Sequence, residues 1–237
     1  MFDFLKKKYS LAESGVLSGS VDAHSHILFG VDDGAKHRGD ALEMLSFEES
    51  MGVREVWCTP HVMEDVPNRT ETLKERFALL QELYGGNIKL HLAAEYMLDS
   101  LFLERLRQRD LLLHRDGNLL VETSANNPPL KLADTLKYIR MAGITPMLAH
   151  PERYRYLRKE DYSCLVSEGV KLQLNLASLT GYYGQTAYEK SCWLLKHGMY
   201  STFGSDCHRV KGIKEQYNHK SLTSEIIDKL ASLAGNQ

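Results

Sequence analysis

The sequence predicts an α/β fold and, within that class, a TIM-like (β/α) barrel of seven strands. Short β-type runs alternate with helical stretches along the whole chain of 237 residues. Seven such alternations without a long linker call for parallel strands joined by helical crossovers. Acidic and imidazole residues close most of the runs, and a barrel gathers the carboxyl ends of its strands into one bowl. An open doubly wound sheet would concentrate ligands at a single switch point instead.

Taken in order, the strands are expected over residues 19–24, 54–59, 88–95, 119–123, 145–149, 171–175 and 200–205. Each is a short apolar or β-branched run bounded by turn residues or by a helical pattern. Helices are expected over 36–51, 70–84, 100–109, 131–141, 159–168 and 185–197, with a last amphipathic stretch over 221–233. Gly52, Gly143 and Gly198 follow three of the helical patterns directly, at the left-handed position that ends helices. Residues 1–18 read as an N-terminal arm and residues 19–237 as a single barrel domain. The start, Met1-Phe2-Asp3-Phe4-Leu5-Lys6-Lys7-Lys8, puts aromatics before its basic run, the reverse of a signal peptide. A mobile arm is expected there, because one short basic patch binds membranes only weakly.

A formal charge of −2 gives no global drive towards nucleic acid or an anionic membrane. No apolar run approaches the length of a transmembrane helix, so neither nucleic-acid binding nor membrane insertion is expected. The four cysteines are scattered with no Cys-x-x-Cys pair, the pattern of reduced thiols in a cytoplasmic protein. There is no glycine-rich phosphate loop of the dinucleotide or GKS/GKT type.

Chemistry concentrates at the strand ends. His24-Ser25-His26 closes the first apolar run and Asp206-Cys207-His208 the last. Residues i and i+2 of an extended strand share a side, so each pair can aim two ligands at one point. Imidazole and carboxylate together suit divalent zinc, manganese and iron. A single histidine is more often a hydrogen-bonded core or surface residue; two strand-end pairs far apart in sequence argue for a site. Collecting the strand-end candidates gives His24, His26, Asp33, His61, Glu95, Glu122, His150, Asp206 and His208. Asp32 competes with Asp33 for a ligand role. Nine ligands exceed the needs of one ion and suffice for two or three bridged by carboxylates, an arrangement suited to phosphate-ester hydrolysis. Strand six alone ends on a neutral polar residue, Asn175. His37, His91, His114, His197 and His219 read as surface or capping residues. Tyr182 and Tyr183 read as rim residues that, with Tyr154 and Tyr156, could accept an aromatic ring.

The ordered set His24-Ser-His26, Asp32-Asp33-Gly34, Thr59-Pro60-His61, Ala94-Glu95, Val121-Glu122, Ala149-His150-Pro151-Glu152-Arg153-Tyr154 and Gly204-Ser205-Asp206-Cys207-His208 resembles the PHP (polymerase and histidinol phosphatase) superfamily. Within it, the sequence is most similar to bacterial metal-dependent protein-tyrosine phosphatases encoded with capsular and exopolysaccharide genes. The resemblance implies a distorted barrel and up to three ions per chain, usually manganese, with iron, cobalt and zinc as alternatives. By position, His24, His26, Glu95 and Asp206 would hold the first ion, with Asp206 also facing the reaction. Glu95 would bridge to a second ion completed by Glu122 and His150, and Asp33, His61 and His208 would take the third. Arg153 matches the family's phosphate-binding arginine, whose planar fork can pair two phosphate oxygens. Ile213 stands where the family usually has a second arginine, and Arg209 is expected to take that role. The implied partner is a phosphotyrosine protein, an autophosphorylated tyrosine kinase at the inner membrane face.

Thiol chemistry is excluded, since a cysteine phosphatase needs Cys-x5-Arg and no cysteine here has an arginine six residues on. A metal-activated hydroxide is expected instead, with a phenolate leaving group of pKa about 10 that needs little acid help. Three rival readings remain. The His24–Gly34 segment argues against a small-molecule phosphatase of the histidinol-phosphate type. A metal-dependent amidohydrolase would end on a lone aspartate after an eighth strand. A non-catalytic kinase-docking module would have lost ligands.

Overall fold

The computed structural model describes residues 7–235. The strands among them are β1 (Val21–Ser25), β2 (Glu55–Cys58), β3 (His61–Val62), β4 (Lys89–Leu92), β5 (Glu95–Met97), β6 (Asn118–Glu122), β7 (Thr145–Ala149), β8 (Lys171–Asn175) and β9 (Thr202–Gly204). The helices are α1 (Leu11–Ser14), α2 (Arg38–Ser50), α3 (Thr70–Leu83), α4 (Ser100–Gln108), α5 (Leu132–Met141), α6 (Lys159–Ser167), α7 (Gln185–Lys196), α8 (Val210–Asn218) and α9 (Ser224–Gly235).

Paired strands run parallel in the orders β1-β2-β4 and β3-β5-β6-β7-β8-β9. The division arises because the third expected strand is interrupted and the second is followed, after a break, by a further short strand. Thr59-Pro60 separates β2 from β3, since proline has no N–H for the ladder, and Ala93-Ala94 separates β4 from β5. Backbone bonds still cross both breaks: Thr59 donates to Ser25 at 2.8 Å, Ala93 to Cys58 at 2.9 Å and Glu95 to Pro60 at 3.0 Å. The two orders therefore form one curled parallel sheet. At its far edge, Asp206 N donates to His24 O at 2.8 Å and His26 N to Cys207 O at 3.0 Å, so β1 meets the chain beyond β9.

Alternation along the strands sorts the interior. Leu119, Val121, Leu148, Leu172, Leu174 and Phe203 belong to the main apolar core with the helices. Their neighbours turn the other way: Leu120, Met147 and Ala149 form one small cluster, and Val21, Trp57 and Ala93 another. Asn118, Glu122, Gln173 and Asn175 share that inner parity, which is how polar groups come to lie in buried strands.

The region expected as an arm is docked over its described part. Tyr9 and Leu222 exchange backbone hydrogen bonds at 2.9 Å. Ser10 caps α1 in a capping box with Glu13, and Leu11 and Leu17 are buried. Burial of those apolar side chains holds the segment, against the mobile arm expected over residues 1–18; residues 1–6 of that arm lie outside the described residues. Helix α8 was not expected. Its signal, Val210, Ile213 and Tyr217 at spacings three and four, is present and all three are buried, but Gly212 and the ligand motif just before it obscure the pattern. His114 corrects another expectation. It is buried, stacks on Trp57 with centroids 3.8 Å apart and lies 3.1 Å from Ala23 O through Nε2.

Candidate metal centre

The first ligand group is a near-tetrahedron of side-chain atoms. His24 Nε2 lies 3.1 Å from His26 Nε2, 3.2 Å from Glu95 Oε2 and 3.5 Å from Asp206 Oδ1. His26 Nε2 lies 3.4 Å from Glu95 Oε2 and 3.3 Å from Asp206 Oδ1. Four donors set tetrahedrally about 2.0–2.1 Å from an ion stand roughly 3.3–3.4 Å apart. Two further groups fit a cation: His61 with Glu95 and Glu122, and His26 with Asp33, His61 and His208.

The unpaired atoms support the same fit. Glu95 Oε2, Glu122 Oε1 and His61 Nδ1 are buried with no hydrogen-bond partner, although His61 Nδ1 is 3.1 Å from each of those oxygens. Leaving buried anions so exposed to one another is costly without a cation. Burial opposes ionisation of Glu95, but His24 and the hydrogen bonds from His150 and His24 outweigh it and hold the carboxyl well below the usual range. Asp206 is lowered by the same contest, burial against His24 and His26. Burial and His26 push His61 down, yet Glu122 and Glu95 bring its pKa up to about 10.

Neighbouring groups orient the ligands. Gln173 Nε2 donates to Ala23 O at 3.2 Å, so its Oε1, 2.7 Å from His24 Nδ1, accepts the imidazole proton. That tautomer leaves His24 Nε2 free for a metal. Asp32 Oδ2 lies 2.8 Å from His26 Nδ1 and accepts His61 N at 3.1 Å. Asp32 is thus turned away from the ligand groups, while Asp33 Oδ1 faces His208 Nε2 at 3.3 Å and His61 Nε2 at 3.6 Å. Gly34 and Gly204 allow the backbone to close on the histidines: a Cβ at either would collide with His26 or His24. His150 and Asp206 adopt left-handed backbone angles, φ 35° and 51°, a strain of about 1–2 kcal/mol each for non-glycine residues.

All nine expected ligands come together, with one difference in grouping. His61 stands beside Glu95 and Glu122, where His150 was expected. His150 Nε2 meets the other oxygen of Glu95 at 3.0 Å and Glu122 Oε2 at 3.9 Å. Glu95 opens β5, downstream of the break, and does not close a continuous strand.

Asp33, His61, Glu95, Glu122, His150, Asp206 and His208 line a cavity of about 220 Å³, which Met63, Arg153 and Tyr183 help to enclose. Arg153 Nη1 donates to Asp206 Oδ2 at 2.8 Å. Arg209 is exposed and lines two larger grooves alongside, of about 390 and 630 Å³, but not the metal cavity. Ile213 is buried, so no side chain there reaches a phosphate. Tyr154 is fully buried, stacked on Tyr156 and bonded to Thr123 N, and does not line the mouth. Cys207 is buried in the core and burial pushes its thiol well above the usual range. Gln173 carried no signal beyond a polar residue at inner parity in a buried strand.

A sequence model of the family described as "Capsular polysaccharide synthesis, CpsB/CapC" matches residues 20–223. Tyrosine-protein phosphatase YwqE of Bacillus subtilis is 31% identical over 199 residues, covering 81% of this chain and 78% of YwqE. Tyrosine-protein phosphatase CpsB of Streptococcus pneumoniae is 29% identical over 206 residues, 80% of this chain and 83% of CpsB. A crystal structure from work on these two proteins, described there as metal-dependent tyrosine phosphatases, aligns with a TM-score of 0.71 and 25% identity over 92% of this chain and 95% of the other.

Proposed function

This chain belongs to the CpsB/CapC family of capsular polysaccharide synthesis proteins, and from that premise we propose that it is a metal-dependent protein-tyrosine phosphatase, a phosphoric monoester hydrolase. The observation that carries the reading is the cluster of nine imidazole and carboxylate side chains with Arg153 at its edge, in a chain whose relatives are named tyrosine-protein phosphatases. The curled sheet is read as a distorted seven-stranded barrel of the PHP type, supported by the bonds that join β1 to the chain beyond β9.

His24, His26, Glu95 and Asp206 would hold one ion, Glu122 and His150 with Glu95 a second, and Asp33, His61 and His208 a third. Manganese is the proposed metal, with iron, cobalt and zinc as alternatives for this donor set. Such ions, when bound, lower the pKa of water and neutralise charge on a transferring phosphoryl group. Arg153, always protonated, presents the rest of its fork to the phosphate. Arg209 is assigned to the chain flanking the phosphotyrosine, because it lines the grooves and not the cavity. Cys207 has no part in the reaction. The proposed substrate is an autophosphorylated tyrosine kinase that regulates capsule or exopolysaccharide synthesis at the inner membrane face, met from the cytoplasm. No helix among the described residues is long and apolar enough to cross a membrane.

Turnover of p-nitrophenyl phosphate, a phosphotyrosine peptide and histidinol phosphate, each with and without manganese, tests the reading. Manganese-dependent hydrolysis of the first two, with histidinol phosphate much slower, is expected. Preference for histidinol phosphate would move the chain to the small-molecule branch, and no hydrolysis with metal bound would favour a docking module.

A further inference from the structure

Asp206 has two faces. Its Oδ1 points at His24 and His26, while its Oδ2 accepts from Arg153 Nη1 at 2.8 Å and from Asn175 Nδ2 at 2.7 Å, with the Tyr183 hydroxyl at 3.5 Å. Asn175 spends its other amide atom on the following turn, where Oδ1 accepts Ala177 N at 2.8 Å. The same Asn175 Nδ2 reaches the Tyr183 hydroxyl at 3.3 Å. The Arg153 guanidinium then lies over the Tyr183 ring, 4.2 Å from its centroid. Tyr183 is half-buried and walls the metal cavity on the side that opens to the neighbouring grooves.

We propose that Tyr183 is a positioning residue for phosphate recognition: its ring, anchored through Asn175 and Asp206, holds the Arg153 guanidinium in the plane from which it meets a phosphoryl group. The inference rests on the phosphatase reading. An arginine has several rotatable bonds, and its fork gains from two phosphate oxygens only when its plane is set beforehand. One edge of the guanidinium is fixed by Asp206 and one face by the Tyr183 ring. Arg153 lines the cavity, and with these two contacts made its guanidinium has little freedom left to lose when a phosphate arrives. A carboxylate alone would fix one nitrogen and leave the plane free to turn about that bond. The aromatic face removes this rotation, and cation–π contact of this kind favours arginine over lysine at the same place.

The test compares Tyr183→Leu, Tyr183→Phe, Arg153→Ala and the double variant Arg153→Ala/Tyr183→Leu, all manganese-loaded. It measures KM and kcat for p-nitrophenyl phosphate, inhibition by inorganic phosphate, phosphate binding by calorimetry, metal content and Tm. Tyr183→Leu should weaken phosphate inhibition and raise KM by roughly five- to tenfold, as expected for loss of one partly desolvated cation–π contact. Its kcat should fall less, and its metal content should not change. Tyr183→Phe keeps the ring but loses the hydroxyl that Asn175 and Asp206 hold, so its defect should be clearly smaller than that of Tyr183→Leu, about two- to threefold. In the Arg153→Ala background, Tyr183→Leu should weaken phosphate binding no further, because the two residues act as one unit.

Additive losses in the double variant would overturn the proposal, as would a Tyr183→Phe defect as large as that of Tyr183→Leu. If Tyr183→Leu does not fold, the Phe variant and the calorimetric comparison decide the matter. A wild-type protein that hydrolyses no phosphate ester would sink the phosphatase reading instead, and phosphate calorimetry on the same variants would still judge the role of Tyr183.

Discussion

Asp32 and His26 are joined side chain to side chain at 2.8 Å, and this bond assigns different tasks to two adjacent aspartates. Asp32 fixes the imidazole so that Nε2 faces Glu95 and Asp206, while Asp33 is left facing His61 and His208. Asp32→Asn should weaken metal binding by about 10- to 100-fold, the usual effect of removing a carboxylate that orients a ligand histidine. Asp33→Asn should instead lower the number of ions held per chain. Metal content after dialysis at graded free manganese separates the two outcomes, and equal effects would mean that both aspartates act alike.

His150→Ala should lower kcat/KM for p-nitrophenyl phosphate by orders of magnitude while the fold survives, because its Nε2 approaches both Glu95 and Glu122. Circular dichroism checks the fold. Turnover near wild type with manganese present would remove His150 from the ligand set.

Arg153→Ala should cut kcat/KM by roughly 10- to 100-fold, the value of a charge-assisted contact of about 1.5–3 kcal/mol. Arg153→Lys should recover only part of this, since an ammonium lacks the fork. Asp206 loses the guanidinium donor in either variant, and in Arg153→Ala nothing replaces it, so metal content is the control. A metal-depleted Arg153→Ala protein would show that the arginine acts mainly by holding Asp206.

Cys207→Ser should retain most activity, and iodoacetamide should do little, because the thiol is buried and held protonated. EDTA should abolish turnover and manganese should restore it. Activity that resists EDTA and depends on a free thiol would contradict the mechanism.

His114 makes stability depend on pH. Burial against Trp57 pushes its pKa down to about 3, whereas an unfolded imidazole takes up a proton near about 6.5. The unfolded chain binds the proton first, so this contribution to stability is constant above pH 6.5 and falls as pH drops from there towards 3. By pH 5 the loss amounts to roughly 2 kcal/mol, at about 1.4 kcal/mol per unit. His114→Phe keeps the stack and should gain about that much relative to wild type between pH 7.5 and 5 in urea unfolding. A constant difference between the two proteins would mean that His114 protonates in place.

The clustered imidazoles and carboxylates were legible because metal chemistry uses few residue types and parallel strands deliver them at their carboxyl ends. His24, His26, Asp206 and His208 announce themselves by spacing alone. Asp32 and Asp33 could not be ranked from sequence, since the choice depends on which carboxylate reaches His26 Nδ1 across a turn. Gln173 and Tyr183 act through contacts between residues distant in the chain, with Ala23 and His24 on one side and Arg153 on the other, and their residue types are ordinary at surfaces and in strands. The break after the second strand had a visible cause in Pro60. The third gave no comparable sign, because Ala93-Ala94 carries no breaker.

The seam where β1 meets the chain beyond β9 sets the order of assembly. Asp22 accepts from the backbone and hydroxyl of Ser205 across 183 positions of sequence, and His24 acquires its Asp206 neighbour by the same closure. A chain emerging from the ribosome therefore carries its first histidine pair long before the aspartate that completes their group exists. Contacts of such sequence separation form late and slowly. Capture of the proposed ion would have to wait for this closure, so bound metal would act as a lock on the closed sheet, and a fragment truncated before Ser205 would have neither the seam nor the site.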